Sequence, residues 1–175
     1  SKVHLEGARE YSRTQETNLG NLITDAMLDE TGAEIAITNG GGIRDSIDEG
    51  EITKGEIVKV LPFGNYIVTK ALTGAQIKEV LEHGIKAYPA PAGHFPHVSG
   101  VNFVFDETRE AGKRIVGITV NGKPIEMDKL YVVATNDFMS VGGDEYPHFS
   151  NIPTINEYKS LEEALESYIR KIGNV

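Results

Sequence analysis

Cysteine is absent from this chain, which excludes disulfides and thiolate-bound metal and leaves the redox compartment open. Positive charge is scarce. Against 26 Asp and Glu stand 17 Lys and Arg, for a formal net charge of −9. Nucleic acid and anionic membrane both require basic patches, so neither is expected as a main partner. No apolar run approaches the ~18 residues of a membrane-spanning helix, so no membrane span is expected. Ser1 opens without a signal peptide or an initiator Met, and Ser1-Lys2-Val3-His4-Leu5 enters a strand-like alternation at once. This start reads as a cut inside a longer polypeptide.

What is present fits one domain. A chain of 175 residues buries roughly 70% of its unfolded surface as a single unit. Its 19 glycines exceed the usual share of about 7%, which suits a loop-rich, ligand-binding fold. Residues 1–13 read as extended. Leu19, Leu22, Ile23, Ala26 and Met27 recur at helical spacing, with Asn18 as a cap and Gly32 as a stop. Glu34 to Thr38 is a short apolar run that reads as a buried strand. Thr53-Lys54-Gly55-Glu56 is a capping box that opens a short helix through Val60. Tyr66 to Leu72 reads as a strand. Thr73-Gly74-Ala75-Gln76 is a second capping box, opening a helix whose apolar face is Ile77, Val80, Leu81 and Ile85.

Residues 88–100 hold three prolines and two glycines and read as irregular loop. Val101 to Phe105 and Ile115 to Val120 read as strands, and Asn121-Gly122 as a hairpin turn. Tyr131 to Thr135 reads as a buried strand, 136–149 as a loop, and Ser160-Leu161-Glu162-Glu163 as a capping box for a final helix. Helices alternate with strands early and hairpins crowd in late. The expected fold is α+β: a mixed β-sheet with helices packed on it.

One stretch organises the rest. The 34–38 strand runs straight into Asn39-Gly40-Gly41-Gly42-Ile43-Arg44. Three consecutive glycines let the backbone take positive φ and approach another surface closely. Asn39 brings an amide that both donates and accepts, and Arg44 a planar fork suited to phosphate or paired oxygens. Exposed backbone N–H groups, one amide and one guanidinium make a ligand-loop composition; the same residues also describe a tight turn with a solvated arginine. It is neither a P-loop, since no Lys follows, nor a dinucleotide fingerprint, since Asp45 stands where a third glycine belongs.

Two further loops repeat the logic. Leu61-Pro62-Phe63-Gly64-Asn65 presents Phe63 beside a glycine. Asn136 to Asp144 presents Phe138, then Gly142, Gly143 and the Asp144 carboxylate. Two aromatics in glycine-rich loops can clamp a flat ring, each stacking contact being worth about 1–3 kcal/mol. A carboxylate after two glycines can accept from the vicinal hydroxyls of a ribose. Taken singly, each Phe reads first as a core residue beneath a loop, and Asp144 also describes an Asx-turn residue.

In order along the chain, Asn18-Leu19-Gly20-Asn21-Leu22 with Asp25-Ala26, the Asn39 to Arg44 loop, Leu61 to Asn65, Val98-Ser99-Gly100 and Gly142-Gly143-Asp144-Glu145-Tyr146 resemble the C-terminal domain of the 5′-nucleotidase family. Bacterial members of that family include UDP-sugar hydrolases and 2′,3′-cyclic-nucleotide phosphodiesterases. The resemblance covers nearly the whole chain and implies a substrate-binding domain. A divalent metal pair, zinc, manganese or similar, and the catalytic residues would lie in a covalently linked N-terminal domain.

Carried over by position, Phe63 and Phe138 would sandwich the base and Asn39 would bond its edge. Asp144 would hold the ribose hydroxyls, and Arg13 and Arg44 would act on ribose and phosphate. An extracytoplasmic location is implied as well: secreted, periplasmic or cell-wall. The metal-ligand motifs, Asp-x-His and Gly-Asn-His-Glu/Asp, do not occur here. Of the five histidines, only His94 and His97 are near neighbours, and they read as solvated loop residues without a third ligand. The chain by itself is therefore expected to bind a nucleoside or nucleotide, to need no cofactor and to catalyse nothing. A self-sufficient nucleoside-binding module that has lost its catalytic partner is the competing expectation.

Overall fold

A computed structural model describes residues 1–175. A short helix α1 (Arg9–Ser12) precedes α2 (Asn18–Thr31), where only extended chain was expected. The side chain that caps α2 is Thr17, accepting from the Gly20 amide. Asn18 instead ties the N-terminal segment down, accepting from the Glu6 N–H and donating to the His4 carbonyl. Strand β1 (Ile35–Asn39), buried at every residue, leads into a 3-10 turn at Gly40–Gly42. Helix α3 (Lys54–Val60) and helix α4 (Gly74–Ile85) flank strand β2 (Tyr66–Thr73), and both helices start on complete capping boxes.

The segment expected to be loop contains strand β3 (Pro96–Ser99), and β4 (Val101–Phe105), β5 (Ile115–Val120) and the short β6 (Lys123–Pro124) follow. Strand β7 (Leu130–Asn136) runs into a one-turn helix α5 (Asp137–Ser140) and two 3-10 turns. Strand β8 (Asn156–Ser160), unsignalled in the sequence, and helix α6 (Leu161–Ile172) complete the chain.

The main sheet runs β3-β1-β7-β2-β8 and is mixed: β1 and β7 are parallel, and every other pair is antiparallel. β4, β5 and β6 form a separate antiparallel sheet. Side-chain alternation gives the main sheet two apolar faces. Ala36, Ile67 and Ala134 pack with α2, α3 and α6 on one side. Ile35, Ile37, Leu72, Tyr131 and Val133 pack with α4 and the small sheet on the other. All four residues predicted for the apolar face of α4 are 0% exposed. This is the α+β architecture, with the sheet between two layers.

β3 forms despite Pro96 because it is an edge strand, where a proline removes no interior ladder bond. It pairs with β1 from Ala36↔Ser99 to Asn39↔Pro96. The pairing also relocates a histidine. His97 is a core residue, 2% exposed, not a solvated loop residue. Its Nε2–H donates to the Ser12 carbonyl at 2.7 Å, while Nδ1 has no partner and lies so near Gly20 that a Cβ there would fall 2.0 Å away. Burial lowers the pKa of His97, since a second N–H would be desolvated against apolar backbone.

The unfolded chain, with its ordinary histidine pKa of about 6.5, then binds a proton that the folded chain refuses. The stability this contributes is complete above that pH and is lost as pH falls toward the lower folded value. Going from pH 7 to 5.5 should therefore lower stability through this residue. Urea midpoints at the two pH values, for wild type and His97→Gln, check it. Identical pH slopes in the two proteins would mean that another group titrates.

Candidate functional site

The glycine loop owes its shape to close packing. Gly40 donates its N–H to the Phe95 carbonyl at 2.7 Å and Gly41 to that of Gly93 at 2.8 Å. A Cβ on Gly40 would fall 2.0 Å from the Ser12 carbonyl oxygen. None of the three glycines has positive φ. Two of the N–H groups expected to be exposed are therefore spent on fastening this turn to the 92–95 segment, and glycine is required there for clearance. The same segment accepts Arg13 from behind, the Ala92 N–H donating to the Arg13 carbonyl.

That fastening opens a cleft of about 570 Å³ lined by Arg13, Asn39, Gly41, Gly42, Arg44, Phe63, Asn65, Gly93, Phe138 and Asp144. All six side chains singled out in the sequence meet here, delivered by four separate segments. The two phenylalanines are surface residues, Phe63 at 57% and Phe138 at 43% exposure. The Arg44 guanidinium lies over the Phe63 ring, 5.5 Å from its centroid, a cation–π distance. The Phe138 ring rests on Gly143, where a Cβ would fall 2.7 Å from two ring carbons. Gly40, Gly142 and Gly143 stand just outside the lining: Gly40 braces the turn, Gly143 lies under the Phe138 ring, and Gly142, at φ 97°, turns the chain toward Asp144.

Asp144 is held by a relay of amides. Asn136 caps α5 by accepting from the Met139 N–H. Its Nδ2 donates to Asn39 Oδ1 at 3.0 Å and to Thr38 Oγ1 at 2.9 Å. Asn39 Nδ2 in turn donates to Asp144 Oδ2 at 2.8 Å. From the other side, His83 Nε2–H donates to the Asp144 carbonyl at 2.7 Å. These contacts hold Asp144 in a left-handed conformation, φ 56°, that a non-glycine residue adopts only under constraint.

Burial, and then the charges of Arg9 and Arg44, lower the pKa of Arg13, with Asp144 acting in the opposite sense. The guanidinium stays protonated in the working range, so the cleft carries two cations beside one carboxylate.

Asn65, Gly93, Asn136 and His83 are the contributors that sequence reasoning passed over. Asn65 had a signal, an amide following Phe63-Gly64 as Asn39 precedes its glycines. Gly93, Asn136 and His83 had none, because their roles depend on neighbours distant in sequence. No three His, Asp or Glu side chains gather as a metal-ligating group anywhere in the chain. The donor set for a two-metal centre is thus not provided by these residues, His94 included, whose Nδ1–H donates to the Gly84 carbonyl.

The chain is similar to several known proteins. The trifunctional nucleotide phosphoesterase YfkN of Bacillus subtilis is 42% identical over 98% of this chain, which spans 12% of that protein. The UshA protein of Escherichia coli is 38% identical over 95% of the chain, which spans 30% of it. The crystal structure of the 5′-nucleotidase precursor of Thermus thermophilus superposes with a TM-score of 0.93 and 39% identity, over 99% of this chain and 36% of that one. The chain therefore spans about a third or less of the length of these relatives. The pattern described as the C-terminal domain of 5′-nucleotidase matches residues 1–151, and the chain belongs to that family.

Proposed function

We propose that this domain recognises the nucleoside part of the substrate of a metal-dependent nucleotide phosphohydrolase. The observation that carries the reading is the convergence of Arg13, Asn39, Arg44, Phe63, Phe138 and Asp144 on one cleft. In this reading the base stacks between Phe63 and Phe138, whose exposed rings have face area to offer. Asn39 gives its Oδ1 and one N–H to Asn136 and Asp144, so its remaining N–H is the group that meets the base edge. Asp144 keeps Oδ1 for a ribose hydroxyl. Arg44 and Arg13 supply the guanidinium forks for phosphate, whose planar geometry suits bidentate contacts.

The divalent metal pair and the residues that activate water belong, in the same reading, to a covalently linked N-terminal domain outside the cell membrane. This domain's residues bind and orient. An open reading frame lacking a metallophosphoesterase segment upstream would favour a self-sufficient nucleoside-binding module instead.

The test is calorimetric titration of the chain with adenosine and AMP, wild type against Arg44→Lys. Both ligands should bind weakly, and the substitution should weaken AMP by about tenfold more than adenosine, because lysine is a point charge without the fork. The same preparations given AMP and manganese should release no phosphate. Collapse of adenosine affinity in a folded Arg44→Lys protein would assign Arg44 to the nucleoside or to the loop itself. Metal-dependent phosphate release that copurifies with the chain would overturn the division of labour.

A further inference from the structure

β2 carries one residue that its surroundings do not explain. The strand alternates between the two cores, with Ile67 on the α2 side and Leu72 on the α4 side. Lys70 is directly opposite Val133 and so shares the α4 face. It is 4% exposed and has no carboxylate partner: its ammonium donates to two carbonyls, Ser140 at 3.0 Å and Phe149 at 2.5 Å. Burial lowers the pKa of Lys70, as expected of an ammonium removed from water without a counter-charge. An apolar residue would serve this core position better on its own account, so the reason for a lysine lies with the two carbonyls.

Those carbonyls close the two ends of the segment 141–148. Four of its residues have positive φ: Gly142, Asp144, Glu145 and His148. Such a backbone holds its shape only when its surroundings fix it. His83 and Asn39 fix the middle, at the carbonyl and carboxylate of Asp144. Lys70 spans the base.

We propose that Lys70 is a positioning residue for ribose recognition, its ammonium pinning both ends of the segment that carries Asp144. This rests on the reading of Asp144 as the ribose acceptor. The side chain touches no ligand and acts only through the loop.

Lys70→Met removes the ammonium and keeps an unbranched stem of similar length, and Lys70→Arg keeps the charge. Two measurements are made on each. Amide hydrogen exchange compares 142–146 with the β2–β7 ladder, and titration compares adenosine with adenine, which lacks the ribose. In Lys70→Met the loop amides should exchange at least ~10-fold faster while the ladder keeps its protection, and adenosine affinity should fall ~10-fold while adenine affinity holds. Lys70→Arg should restore part of both.

Equal loss of protection in loop and ladder, or failure of both variants to fold, would make Lys70 a general core residue and overturn the proposal. Loosened loop amides with unchanged adenosine affinity would overturn it too. If wild type binds neither adenosine nor adenine, the nucleoside reading fails, and the exchange pattern alone still decides whether Lys70 pins the loop.

Discussion

Asn136→Ala should cost roughly 3–7 kcal/mol of stability, summing the loss of an N-cap, about 1 kcal/mol, and two buried acceptors left unpaired at about 1–3 kcal/mol each. Asn136 is 1% exposed, and its amide serves three partners, the Met139 N–H, Thr38 Oγ1 and Asn39 Oδ1. No other side chain links the ends of β1 and β7. The guanidinium midpoint should fall with an unchanged denaturant slope, because the same surface unfolds. Affinity for adenosine should fall as well, since Asn39 loses the contact that aims its Nδ2 at Asp144. A stability loss below ~1 kcal/mol would mean that water takes the place of the amide.

Removing both aromatic rings should have the largest effect on ligand. Each base–aromatic contact is worth about 1–3 kcal/mol, so Phe63→Ala with Phe138→Ala should weaken adenosine by about 2–6 kcal/mol if the two faces act independently. The melting temperature should move by only a few degrees, because both rings are substantially exposed and little apolar burial is lost. Titration followed by a thermal scan separates the two quantities. The single variants then show whether the rings are coupled: a sandwich loses much of its benefit when either face goes, so the singles should sum to more than the double. A large drop in melting temperature with adenosine affinity intact would return the rings to the core. Phe138 is the one to watch, since it covers Gly143.

The chain determined locally whatever depends on short-range stereochemistry. The capping boxes at Thr53 and Thr73 start helices where expected, because the side chains that satisfy the first free N–H groups lie within one turn of them. The apolar spacing of Ile77, Val80, Leu81 and Ile85 reports a helix face for the same reason. Most residues of the cleft were legible as well, because Asn39, Arg44, Phe63, Phe138 and Asp144 stand in glycine-rich loops, whereas Arg13 was carried over only from the family resemblance.

Other features depended on partners far along the chain. β3 is a strand because β1 offers it an edge, and 96–99 alone reads as proline-broken loop. β8, mostly polar and only partly buried, exists by pairing with β2. Asn39 and Asp144 are bonded across 105 positions, Lys70 and Phe149 across 79. The glycines at 40–42 looked like a loop freed to bind, and the fold uses two of their N–H groups as fasteners. Periodicity says which face of an element is apolar; it does not say what the other elements bring to that face. A lysine on a strand therefore reads as solvated until the sheet is assembled, when the carbonyls of Ser140 and Phe149 close over it.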